Sequence, residues 1–295
     1  MGNLKSLDTV GHSLNQAGSV KLAGADFERV ARFIGEFVGI QLPESKHTLV
    51  EGRLRKRLRQ QGITDFGTYL DYALGSPEGE NERLHLIDAI TTNKTDFFRE
   101  PEHFDYLTSQ ALPEMKRNCI RDGRPELGIW SAGCSTGEEP YTLSMVMHEA
   151  VEKTTAMKFS ILATDISQHC LETARRGIYT EKHVQAVPLE LRKKYLLKSR
   201  RSADALVCIG PELKSRVHFG VLNLMDRQFS LKHRMDAIFC RNVMIYFNKA
   251  IREELVDKFE KHLVSGGYLF VGHSESLNGL KNGLRQVAPM VYKKP

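Results

Sequence analysis

No stretch of this 295-residue chain is both long and apolar enough to cross a membrane, so membrane insertion is not expected. Its five cysteines, Cys119, Cys134, Cys170, Cys208 and Cys240, form no C-x-x-C pair and have no histidines at zinc spacing. Neither a disulfide framework nor a metal centre is expected, and a reducing, cytoplasmic compartment is the simplest reading. H-E-x-x-H, Walker A and EF-hand patterns are missing. The absence of G-x-G-x-x-G disfavours a dinucleotide oxidoreductase. No internal repeat or low-complexity tract interrupts the chain. Residues 1–25 are polar and lack a signal-peptide core, which reads as a disordered tail. The net charge of +6 permits acidic partners without indicating nucleic acid, and no nucleic-acid partner is expected.

What is present falls into two patterns, consistent with one large domain and a smaller companion. From Asp26 to about Leu112 the periodicity is helical and no strand is needed. Phe27, Val30, Ala31, Ile34, Phe37 and Val38 recur at three- and four-residue spacing, with Asp26 as N-cap. A second helix follows Pro43, with Leu49, Leu54 and Leu58 on one side and Arg53, Arg55, Lys56, Arg57 and Arg59 on the others. After Pro125 strands and helices alternate, which argues for a doubly wound parallel sheet. Strands are expected at 129–132, 159–165, 235–240 and 268–272. Between Tyr179 and Leu222 the segments 206–209 and 217–219 suggest a small antiparallel flap around Pro211.

Residues 128–141 run Gly-Ile-Trp-Ser-Ala-Gly-Cys-Ser-Thr-Gly-Glu-Glu-Pro-Tyr. They read as a buried strand, a turn of small residues, and a helix start carrying Glu138 and Glu139. A helix N-terminus attracts negative charge, so two carboxylates there compete with a phosphate. They suit a ligand bearing an ammonium or sulfonium group, which points toward S-adenosylmethionine. In doubly wound sheets the ligand sits at the carboxyl ends of the strands. Asp165 ends the second strand, where it either accepts hydrogen bonds from a ribose diol or caps the helix near Ser167. Arg241 and Asn242 follow another strand end, with Tyr246 one turn on; they are site residues or ordinary loop residues. In the polar segment 91–99, Phe97 and Phe98 are placed in packing, while Asn93, Thr95 and Arg99 are placed toward a cleft. Gly272-His273-Ser274-Glu275-Ser276 is not G-x-S-x-G, and three sequence neighbours do not converge as a hydrolase triad.

Together, segments 91–99, 131–141, 163–165, 239–247 and 266–276 resemble the chemotaxis receptor methyltransferase family, CheR, and the likeness spans about residues 26–292. Ser-Thr-Gly-Glu-Glu-Pro-Tyr and Cys-Arg-Asn-Val-Met-Ile-Tyr-Phe are its most specific motifs. The resemblance implies a Rossmann-like methyltransferase domain over 113–295, with an antiparallel β-subdomain inserted at about 180–220. It also implies an all-helical domain with its linker over 26–112. S-adenosylmethionine would be the donor, S-adenosylhomocysteine the product, and a glutamate side chain of a methyl-accepting chemoreceptor the acceptor. Carried over by position, Asn93, Thr95, Arg99, Glu139, Asp165, Asn223, Leu224, Arg241 and Asn242 would bind the donor. Arg99 and Tyr246 would lie nearest the transferred methyl group. Within the acidic pair, Glu139 is assigned the ligand contact and Glu138 a capping role.

Some family members bind a receptor tether through a glycine-rich loop in the β-subdomain. The matching stretch 196–205 has no glycine, so direct docking on the receptor methylation helices is expected. The basic helix from Arg53 to Arg59 either serves that docking or is a solvated face. A cytoplasmic monomer is expected. Enzymes that methylate base amino groups carry Asn/Asp-Pro-Pro-Tyr after the fourth strand; Asn242-Val243-Met244-Ile245 lacks the prolines.

Overall fold

The computed structural model describes residues 20–152, 157–199 and 205–295. Of the tail expected over 1–25, residues 1–19 lie outside the described residues, as do positions 200–204 of the glycine-free loop; Leu22 is buried, and Gly24 and Ala25 already belong to the first helix. The chain divides into two units, Met1–Phe37 with Gln41–Thr91, and Val38–Ile40 with Thr92–Pro295. Residues 92–112, grouped by sequence with the helical half, thus fall in the second unit.

The first unit is helical. In α1 (Gly24–Val38) Phe27, Val30 and Ile34 are buried, the stripe that the spacing predicts. Asp26 lies inside the first turn, not at the cap. Phe37 departs from the expected face: it is exposed and stacks on Phe33. In α2 (His47–Gln61) the buried residues are Val50, Leu54 and Leu58. Leu49 is exposed, because a four-residue repeat stays on one face and Val50, not Leu49, begins it. Asp65 caps α3 (Phe66–Gly75) by accepting from Thr68 N at 2.8 Å. The buried Glu82 of α4 (Glu80–Ile90) accepts from Arg57 Nε and Nη2 at 2.9 and 2.7 Å, from Tyr69 at 2.9 Å and from Gln61 at 2.7 Å. Arg53 donates to Ile90 O at 2.6 Å. The basic run is therefore not one solvated face: Arg53 and Arg57 tie α2 to α4, and Lys56 and Arg59 are exposed.

The second unit opens with α5 (Glu102–Tyr106), a wide turn Leu107–Ala111 and α6 (Leu112–Arg121). There follow β1 (Glu126–Ala132), α7 (Glu138–Glu152), β2 (Lys158–Asp165), α8 (Gln168–Arg176), β3 (Ile178–Thr180), α9 (Leu189–Tyr195), β4 (Leu196–Lys198) and β5 (Leu206–Ile209). The unit continues through α10 (Pro211–Lys214), β6 (Val217–Val221), β7 (Met235–Cys240), α11 (Lys249–His262), β8 (Leu263–Val271), β9 (Arg285–Ala288) and β10 (Val291–Lys293). The main sheet has the order β6-β2-β1-β7-β8-β10-β9. Its first five strands are parallel, and β10 and β9 close the far edge antiparallel.

Both faces of the sheet are covered, so its strands read as apolar runs. Ile129, Ile161, Phe239 and Phe270 point into one core with Tyr141 and Leu171. Their neighbours Trp130, Ile238, Leu269 and Val271 point into the other with Val256 and Phe259. Strands β3, β5 and β4 form the separate antiparallel sheet. The segment at Val217, expected in that flap, instead pairs parallel with β2, Leu162 opposite His218. The turn of α10 at Pro211 sends the chain back to the main sheet where a hairpin was expected.

Candidate active site

Strand order reverses between β1 and β7, which opens a crevice at their carboxyl ends. The chain leaves β1 through Gly133, Ser135 and Gly137 at φ 83°, 48° and 99°. A Cβ on Gly133 would stand 2.6 Å from Val243 Cγ2, so only glycine fits both the conformation and the space. Gly133 N and Cys134 N donate to Thr164 O at 2.8 and 2.9 Å. Ser135 N donates to Asp165 Oδ2 at 2.8 Å, and Ser167 N to Oδ1 at 2.9 Å. Ser167, not Asp165, caps α8, accepting from Cys170 N at 3.0 Å. Asp165 is thereby fixed at the strand ends beside the turn. Ser135 Oγ donates to Asn93 O at 2.9 Å and draws the segment before α5 against the same turn.

The two acids opening α7 diverge. Glu138 is fully buried, bound by Thr136 Oγ1 at 2.7 Å and His183 Nε2 at 2.7 Å. Burial holds its carboxyl above the usual range, against the opposing hydrogen bonds of Thr136 and His183. Glu139 faces the crevice, bound by Ser131 Oγ at 2.7 Å and Arg241 Nη1 at 3.2 Å.

Arg241 is the hub. Its side chain is 2% exposed, lies 5.4 Å over the Phe104 ring, and pairs with Glu100 at 3.0 Å as well as Glu139. Its Nη2 also donates to Arg99 O. The two acids respond oppositely. Burial would raise Glu100, but Arg241's charge, with hydrogen bonds from Arg241, Asn242 and His273 N, holds it below the usual carboxylate range. Glu139 is raised, because burial and the charge of Glu100 outweigh its single Arg241 contact. Next along, Asn242 takes φ 60°. Its N donates to Glu275 Oε2 at 2.6 Å and its Nδ2 to Glu100 Oε1 at 3.2 Å. Glu275, 1% exposed, also accepts from Gly272 N at 2.7 Å and Ile245 N at 3.1 Å. One carboxylate thus clamps the loops after β7 and β8. Glu100, Glu139 and Asp165 stand at the strand ends with the buried guanidinium of Arg241 among them, an acid-lined crevice that suits a cationic ligand.

Comparison with known proteins decides the family. The domain described as CheR methyltransferase, SAM binding domain, matches residues 93–292, and the CheR methyltransferase all-alpha domain matches 25–91. The chain belongs to the CheR methyltransferase family. It is 40% identical to a chemotaxis protein methyltransferase of Borreliella burgdorferi, over 94% of this chain and 96% of that one. The Escherichia coli chemotaxis protein methyltransferase is 36% identical over 95% and 94% of the two chains. As a CheR protein this is a chemotaxis-type methyltransferase whose cofactor is S-adenosylmethionine. The residues present fit that cofactor: an acid-lined crevice suits a sulfonium centre, and the carboxylate of Asp165 stands at the end of β2.

The CheR site residues expected from sequence fall into three groups. Hydrogen bonds connect Asn93 and Asp165 through Ser135, and Arg99, Glu139, Arg241 and Asn242 through the Arg241–Glu100 pair. Asn223 and Leu224 follow β6 where Leu222 N donates to Asp165 O at 3.1 Å. Thr95 and Tyr246 are half-buried, the latter ending the turn Met244–Tyr246 against the second core. Among the described residues no side-chain hydrogen bond joins these two to the network. Sequence reasoning missed Ser135, Glu100, Glu275 and His183. A signal for Glu100 was at hand: an arginine at a buried strand end needs an acid, and Glu100 adjoins the segment already singled out.

Proposed function

We propose that the protein transfers the methyl group of S-adenosylmethionine to glutamate side-chain carboxylates of methyl-accepting chemoreceptors, forming glutamyl methyl esters in the cytoplasm. The observation that carries this reading is the attachment of segment 93–100 to the strand-end turn, through Asn93 O and Arg99 O. It holds the Arg99 backbone against Arg241, and the Arg99 guanidinium has no carboxylate partner among the described residues, its hydrogen bond being to Lys94 O at 3.3 Å. An unneutralised guanidinium suits an incoming carboxylate. Bound there, the cofactor supplies an electrophilic methyl on a sulfonium.

The acceptor carboxylate is already ionised at neutral pH and needs no general base. The protein's task is alignment and exclusion of water, and alignment alone supplies about 7–11 kcal/mol in well-oriented systems. In this reading Asp165 holds the ribose hydroxyls and Glu139 meets the positive end of the donor. Asn223, Leu224, Arg241 and Asn242, with Asn93 and Thr95, line the rest of it, while Arg99 orients the acceptor and Tyr246 shapes the methyl-transfer position. The protein acts as a monomer, and the receptor helices dock on the exposed cations of α2, Lys56 and Arg59.

The test incubates the protein with methyl-labelled donor and chemoreceptor-containing membranes. Base-labile label on the receptor is expected, as for a carboxyl ester; base-stable label would sink the reading. Arg99→Ala should cut transfer at least tenfold with donor affinity retained, whereas equal loss of both removes the orienting role.

A further inference from the structure

At the loop that follows β8, three ligand-type side chains converge from two segments. Glu100 precedes α5, His103 lies within it, and His273 follows β8. A carboxylate oxygen and one ring nitrogen from each histidine all lie within 4.8 Å of one another. The two imidazoles meet edge to face at 5.5 Å.

His103 is the anomaly. It is 2% exposed, yet neither ring nitrogen has a hydrogen-bond partner. Nδ1 stands 3.5 Å from Glu100 Oε2, without hydrogen-bonding geometry. Leaving such a group unsatisfied is costly, and an orphaned buried nitrogen needs an account, of which a bound ion is one.

We propose that Glu100, His103 and His273 form a site for a divalent transition metal of the zinc class, with a fourth position open toward solvent. Two imidazoles and one carboxylate are the three-ligand set of open zinc sites. Tetrahedral zinc, with bonds of about 2.0–2.2 Å, holds ligand atoms about 3.4 Å apart. The cluster therefore closes by a small rotation of His273, the exposed member. Arg241, which donates to the same carboxylate at 3.0 Å, becomes the outer partner that orients a ligating carboxylate. Its charge opposes positive charge at His103, and the carboxylates of Glu100 and Glu139, both paired with it, offset that repulsion. The scattered cysteines play no part: the site uses histidines that lie far apart in sequence. The inference stands on this geometry and not on the methyl-transfer reading.

The experiment titrates chelator-treated, full-length protein with zinc chloride by calorimetry. One equivalent should bind with micromolar or tighter affinity. His273→Ala, an exposed position that does not threaten the fold, should lose about 100-fold, at least the upper range for removing a mere outer partner. Cobalt in place of zinc should give tetrahedral d–d absorption in the parent and not in the variant. His103→Asn should lose metal equally, its metal-free unfolding midpoint being read alongside. Zinc uptake that is absent, or equal in the parent and His273→Ala, overturns the site.

Discussion

Arg241→Met offers the sharpest test of the crevice. The methionine keeps much of the stem's volume over Phe104 but removes a charge that is 2% exposed and shared by Glu100 and Glu139. Breaking a buried pair by removing one partner costs about 3–5 kcal/mol, because the remaining charge is left uncompensated. Here two carboxylates are left facing each other. At pH 7 the second unit should therefore lose about 3–5 kcal/mol, read as a lower urea midpoint by circular dichroism.

The pH dependence identifies the cause. In the parent, Glu100 lies below its ordinary 4.5, so its contribution is present above that value and lost as pH falls through the folded value. Glu139 is raised above 4.5, so its contribution is present below that value and lost as pH rises. Without Arg241 both acids belong to the raised class, so the variant recovers stability as pH falls toward 4.5, while the parent keeps Glu100's share over that range and loses it only below. The gap should therefore narrow between pH 7 and 4.5. A gap under about 1 kcal/mol at pH 7, or one that does not change with pH, refutes the claim that Arg241 neutralises this acid pair.

Glu275→Gln places an amide N–H against a backbone N–H that the carboxylate now accepts; about 2 kcal/mol of stability should go, and calorimetry should show weaker donor binding as Asn242 relaxes. Gly133→Ala forces a left-handed alanine toward Val243, costing about 1–3 kcal/mol from backbone conformation alone; an unchanged melting temperature would falsify the need for glycine. Lys56→Glu with Arg59→Glu should slow receptor methylation at low salt and leave the urea midpoint unmoved, whereas Arg57→Glu should unfold the helical unit by stranding Glu82.

How far the sequence was legible depended on the distance over which each feature is specified. The strand Met235–Cys240 matches its apolar run residue for residue, because a strand buried on both faces needs no partner to be recognised. Leu49 and Phe37 were misjudged for the opposite reason. A helix stripe shifts by a whole face with one residue, and only the packing of α2 shows that Val50 begins it. The segment at Val217 was lost because parallel pairing across an inserted sheet leaves no local trace. The acidic turn shows the same limit inside the site. Sequence placed Glu138 and Glu139 together at one helix start and assigned Glu139 the ligand contact and Glu138 a capping role. Their fates were decided by residues 45 and 102 positions away, His183 and Arg241. Adjacent carboxylates on a helix point in different directions, so one became a buried link to the small sheet's connection and the other half of an ion pair in the crevice. Motif spacing brought both acids to one strand-end turn, but only the partners that fold against it show which is buried on His183 and which pairs with Arg241 in the crevice.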